Sequence, residues 1–175
     1  MKGKRKILLL LILILAGDVF SKTQTEAEEY NLKAAFIYNF TNFIDWGIEA
    51  SDESFVIGII GPSLIKEALN EIAKTKTVNN RKIVIREFEN PDQITFCNIL
   101  FISQKSVFPL NTILNKLVSK KTLIISERAG YAVQGSCINF VLINDKLKFE
   151  TNLNAINSAG FKVSSQLLKL AILVN

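Results

Sequence analysis

The sequence predicts an α/β fold: a mostly parallel sheet flanked by helices on both faces, with a C-terminal antiparallel hairpin and a terminal helix. Three observations predict it. Four short runs rich in Ile, Val, Leu and Phe, at 55–60 (FVIGII), 82–88 (KIVIREF), 97–103 (CNILFIS) and 123–126 (LIIS), read as strands, mostly buried on both faces. Helical patterns alternate with them, as parallel crossovers require. Beyond residue 136 the alternation stops, and two strand-like runs follow each other across Asn144-Asp145-Lys146, residues that tolerate left-handed angles.

The first helix is read at 31–46 (NLKAAFIYNFTNFIDW), which has five aromatics and no Gly or Pro. At 100° per residue Leu32, Phe36, Phe40 and Phe43 share one stripe, flanked by Ala35 and Trp46 on one side and Ile37 and Ile44 on the other. The stripe by itself implies a core helix. Asn39 falls inside it and is expected to tie the helix to a neighbouring backbone, because an unpaired buried amide costs about 1–3 kcal/mol. Tyr38 falls on the opposite face. Residues 22–30 are polar and read as a frayed lead-in.

Strand 55–60, the turn Gly61-Pro62-Ser63 and an amphipathic helix at 64–73 make a βα unit. Asn90-Pro91-Asp92 breaks the chain after the second strand. The third strand leads to a helix at 108–118 with Pro109 in its first turn, a favoured place for proline. The hairpin at 137–143 and 147–151 is followed by a helical turn at 152–159 closed by Gly160. A last helix at 163–173 has Ser164 or Ser165 as its N-cap.

Ahead of all this, 1–6 (MKGKRK) is basic and 7–16 (ILLLLILILA) is uncharged and apolar, the layout of a secretory signal peptide. Ten apolar residues are half of what spans a bilayer. The expected cut follows Ser21, making 1–21 the leader and 22–175 one domain. The whole chain carries 21 basic and 16 acidic residues, net +5; without the leader 17 and 15 remain, net +2. The basic balance therefore belongs to the targeting segment, and no Lys/Arg run with interleaved aromatics marks a nucleic-acid surface.

The chemistry is bounded by what the chain lacks. There is no His, so neither a Ser/His nor a Cys/His pair can be built. Two cysteines without His or a third thiol do not make a metal site, and no cofactor motif is present. Cys97 and Cys137 are candidates for a disulfide in an oxidising compartment or for buried free thiols. Asp52/Glu53, Glu87/Glu89 and Glu127 are scattered and read as solvated carboxylates. Gly61-Pro62-Ser63 offers a weak anion site at a helix start. Arg128, in the loop Arg128-Ala129-Gly130-Tyr131 at the carboxyl end of the fourth strand, is the candidate ligand contact, since α/β sheets hold ligands at that edge.

Several of these stretches together resemble one family. Leu32-Lys33-Ala34-Ala35-Phe36-Ile37-Tyr38-Asn39-Phe40 ending in Trp46, then Ile57-Gly58-Ile59-Ile60-Gly61, Cys97 to Ser103, Phe149-Glu150-Thr151-Asn152 and Val163 to Ala171 are similar, in that order, to the YfiR-like (DUF4154) secreted proteins. The resemblance implies a periplasmic, non-enzymatic, dimeric regulator that binds an inner-membrane diguanylate cyclase and holds it inactive, lowering cyclic-di-GMP signalling and biofilm formation. Other relatives are sensor modules linked to histidine kinases, so a small-molecule sensor working with a kinase or an outer-membrane transporter is the alternative. Tyr38 and Trp46 are the candidate exposed anchors for the partner, aromatics being enriched at interface hot spots. Two departures stand out. Gly47 replaces the usual Pro after the Trp, and only Cys137 stands where some relatives carry a local cysteine pair, with Ala132 and Asn139 at the paired positions.

Overall fold

The computed structural model describes residues 25–47, 54–118 and 121–174. The leader read at 1–21 and its cleavage point lie outside the described residues. The observed fold is the predicted class: a mostly parallel eight-stranded sheet with helices on both faces, a C-terminal antiparallel hairpin and a terminal helix.

Helix α1 covers 25–40, earlier at both ends than the sequence reading. It stops because Thr41 turns its hydroxyl back onto the Tyr38 carbonyl at 2.6 Å, and the N–H groups of Thr41, Asn42 and Phe43 bond carbonyls three residues back. The buried stripe is Tyr30, Lys33, Ala34, Ile37, Phe40 and Thr41, an i, i+3, i+4, i+7 series. The expected stripe was thus rotated: Leu32 is 48% exposed, and Asn39 is exposed rather than tied inside. The chain beyond α1 forms β1 (Ile44–Asp45), paired antiparallel with the distant β9 (Lys162–Val163).

Strand β2 (Ser54–Ile60) leads through α2 (Ile65–Ala73) and β3 (Thr77–Val78) to β4 (Arg81–Phe88). A 3-10 turn (Pro91–Gln93) precedes β5 (Ile99–Ile102), and α3 (Leu110–Leu117) leads to β6 (Leu123–Ser126). Then come β7 (Ile138–Ile143), β8 (Lys146–Asn152), α4 (Leu153–Ser158), β9, α5 (Ser165–Leu170) and β10 (Ile172–Val174). The sheet order is β10-β8-β7-β6-β5-β2-β4-β3, with β7–β8 and β3–β4 antiparallel and the other neighbours parallel.

Both antiparallel turns use two residues with positive φ, Asn144 (50°) with Asp145 (57°) and Asn79 (49°) with Asn80 (63°). That angle pair matches the right-handed twist of the strands it joins. Lys146 is consequently the first residue of β8. The Asn152 side chain caps α4 by accepting from the Ala155 N–H at 2.9 Å, and Gly160 at φ 79° ends the segment. The terminal helix is shorter than expected. Ser164 caps it, but Ala171 is extended and Ile172–Val174 pairs in parallel with β8, so the open backbone of the sheet edge outcompetes another helical turn. Helix α1 lies over β7 and β8, where Phe36 and Phe40 meet Phe140 and Phe149. By strand alternation Ile124 and Cys137 point to the other face, toward α3 and α4. Among the described residues no helix is long and apolar enough to cross a membrane.

Candidate functional site

Strand β2 hands the chain to β4 on one side and β5 hands it to β6 on the other. The carboxyl ends of β2 and β5 therefore sit at a topological switch point, where open α/β sheets hold ligands. Here that crevice is filled from within. Gly61 has φ 89°, and a Cβ on it would lie 2.8 Å from Ser106 Cα, so the loops after β2 and β5 touch backbone to side. Ser103 Oγ donates to the Pro62 carbonyl at 2.7 Å, and Ser63 Oγ accepts from the Ile65 N–H at 3.2 Å. The turn expected as a weak anion site is packed against Ser106 instead.

Beside it, at the end of β6, lies a buried carboxylate. Glu127 is 8% exposed. Its Oε1 accepts from the Tyr30 hydroxyl at 3.1 Å and from the Gln104 N–H at 3.1 Å, and its Oε2 accepts from Lys33 Nζ at 2.6 Å. Lys33 Nζ also meets Glu29 Oε1 at 2.6 Å. Farther out Lys105 pairs with Glu26 at 3.4 Å. The first half of α1 thus sits on the carboxyl edge through charged and hydroxyl groups. Burial alone would pull the Lys33 ammonium down, but hydrogen bonds and charge from Glu127 and Glu29 outweigh it and hold it above its ordinary value. Burial, then the Glu127 charge, pushes the Tyr30 phenol up. The reading of Glu127 as solvated is corrected: Tyr30, which the sequence placed at the end of a frayed lead-in, and Lys33, from the helix, bring it inside.

Arg128 is adjacent and is likewise engaged by the protein. Its guanidinium donates to the carbonyls of Gln104 and of Ser106 (3.0 Å) and to the Tyr131 hydroxyl at 2.9 Å. The candidate ligand contact clamps the loop after β5 to the loop after β6. Any ligand reaching it would meet a group already holding two carbonyls.

Trp46, expected as an exposed anchor, is 5% exposed. Its indole N–H donates to the Thr41 carbonyl at 2.9 Å, and its ring stands edge-on to Phe55 (4.9 Å) and Phe161 (5.1 Å). The β1–β9 pairing, invisible to helical periodicity, folds it inward. Tyr38 is half-buried, with its hydroxyl 3.5 Å from the Thr77 carbonyl. The two anchors do not share a surface. Cys97 and Cys137 are both buried and are not joined to each other in a disulfide. Burial pushes the Cys137 thiol up to about 11, which leaves little thiolate at neutral pH. Among the described residues no group of three or more His, Cys, Asp or Glu is placed to hold a metal.

These features define an α/β domain whose usual ligand crevice is closed by its own first helix and loops. Residues 30–172 match the model of the YfiR/HmsC-like family (DUF4154), and the chain belongs to that family. It is a family of periplasmic proteins, generally regulatory and non-enzymatic, with partners in signalling.

Proposed function

We propose that this protein is exported by a leader at 1–21 and works, as one domain over 22–175, as a periplasmic repressor of an inner-membrane diguanylate cyclase. The observation that carries the reading is the family match across 30–172. The filled switch-point crevice supports it, because Ser106, Tyr30, Lys33 and Arg128 occupy the edge where a substrate of an α/β enzyme would bind. The protein acts as a homodimer by preferring the inactive conformation of its partner. It shifts that equilibrium only by the difference in its affinity for the two states. A difference of about 3 kcal/mol changes the active fraction by roughly a hundredfold at most.

Deletion in the host, with cyclic-di-GMP measured in the cells, tests the direction. A rise is expected, and an unchanged level counts against repression. Crosslinking in intact cells then identifies the membrane protein recovered; a histidine kinase or an outer-membrane transporter in place of a cyclase would favour the sensor reading. Light scattering of the purified mature chain reads the dimer.

A further inference from the structure

The crossover from β6 to β7 runs through Glu127–Cys137 as turns, without the helix that covers most parallel crossovers. No crossover helix therefore covers the sheet face at Ile124 and Cys137, and an open groove of about 740 Å³ lies there between α3 and α4. That volume falls within the ordinary range of small-molecule sites. Its apolar wall is Leu114 and Leu117 from α3, Val118 just after it, Val133 from the crossover and Ala155 from α4, with Gln134, Asn154 and Ser158 along the polar side. The walls are also held in place. Asn152 caps α4 with its side-chain oxygen while its amide donates to the Ala132 carbonyl at 2.8 Å, joining α4 to the crossover.

Charge in this groove is one-sided. Among the described residues Lys121 is the single charged residue lining it, and no carboxylate lines it. The Lys121 ammonium donates to the Trp46 carbonyl at 3.0 Å and stands 5.6 Å from the centre of the Phe161 ring. Among the described residues no carboxylate forms an ion pair with it. A half-buried ammonium whose partners among the described residues are a carbonyl and a ring face favours an incoming anion. We propose that the groove binds a linear apolar carboxylate, its alkyl chain lying between α3 and α4 and its head group at Lys121. This site lies on the opposite sheet face from α1, and the inference does not depend on which membrane protein is the partner.

Calorimetric titration of the mature protein with hexanoate, octanoate and decanoate, and with octanol as the neutral control, tests it. Affinity is expected to rise about fourfold for each added methylene, the increment for burying one CH₂. Lys121→Met is expected to weaken octanoate about tenfold and octanol less than twofold. Ser158→Trp, on the exposed rim, fills the groove without replacing a core residue and is expected to abolish binding of both; Ala155→Phe, in the wall, should do the same. The proposal is overturned if octanoate does not bind, if chain length has no effect, if octanol binds as tightly as octanoate, or if Ser158→Trp binds like the parent chain.

Discussion

The two halves of helix α1 are attached to the same sheet by opposite chemistry. The second half is held by rings: Phe40 lies 4.9 Å from Phe149 and 6.1 Å from Phe140, and Phe36 stands 6.0 and 6.2 Å from the same pair. The first half is held by Tyr30, Lys33 and Glu29 around one buried carboxylate. Ring contacts have only broad geometric preferences and tolerate small shifts. The charge cluster works only in one geometry, and each member left alone is expensive to keep buried. The aromatic half therefore supplies most of the attachment, while the polar half fixes the angle at which α1 seals the carboxyl edge.

Removing one support from each half is the sharpest way to break that contrast. Phe40→Ala empties a fully enclosed site and is expected to cost about 3–5 kcal/mol in urea melts followed by circular dichroism. Glu127→Ala leaves the buried Lys33 ammonium to the part-exposed Glu29 and the Tyr30 hydroxyl without its acceptor, and is expected to cost about 1–3 kcal/mol. The two differ in locality. Glu127→Ala should raise amide hydrogen exchange across residues 26–34 first and leave the fluorescence of Trp46, the chain's only tryptophan, native at low urea. Phe40→Ala should raise exchange along all of α1 and shift the Trp46 fluorescence at the same urea concentration. Equal local protection in the two variants would mean that the halves of α1 are one cooperative unit.

The polar half also carries a pH signature that the aromatic half lacks. The folded chain holds the Lys33 ammonium above its ordinary 10.5 and the Tyr30 phenol above its ordinary 10.0. A group with a raised folded value contributes fully below its unfolded value and loses that contribution as the pH climbs through the folded one. Stability from this cluster is expected to be flat from about pH 7 to 9 and to fall above about pH 10. Glu127→Gln should make that alkaline fall shallower, because the charge that helps raise both groups is gone. Parallel alkaline limbs for the two proteins would show that the cluster is not an energetic unit.

Much of the architecture was legible because strands buried on both faces write continuous apolar runs. β2, β4, β5 and β6 were all read within two residues or so of their observed ends, and Asn144-Asp145 marked the hairpin by its tolerance of positive φ. What stayed hidden depends on contacts distant in sequence. β1 and β9 are two residues each, and β10 exists only because β8 offers an open edge. The same limit applies to the site. The local polarity of residues 22–30 suggested a lead-in and the stripe drawn from Leu32 left Lys33 out, whereas Tyr30 and Lys33 belong to the buried stripe because Glu127, over ninety positions away, receives them. A series taken from Tyr30 through Lys33, Ala34, Ile37 and Phe40 instead of from Leu32 was the available signal. It was masked by a lysine at a position that must be buried.

The smallest effect is expected at Tyr38, which lies within the aromatic half between Phe36 and Phe40. Its hydroxyl reaches the Thr77 carbonyl at 3.5 Å, at the limit of a hydrogen bond and open to water. Tyr38→Phe should therefore change stability by less than about 0.5 kcal/mol. Its ring remains half-buried against the core while Trp46 is enclosed, so of the two aromatics only Tyr38 offers surface to another protein without unfolding β1. Tyr38→Ala is expected to weaken recovery of the membrane partner after crosslinking by tenfold or so, the cost of losing a moderate hot spot. Trp46→Phe should leave that recovery unchanged and lower the melting temperature instead. If the two substitutions exchange effects, the partner engages the β1–β9 end of the molecule, and the face beside β3 is not the docking surface.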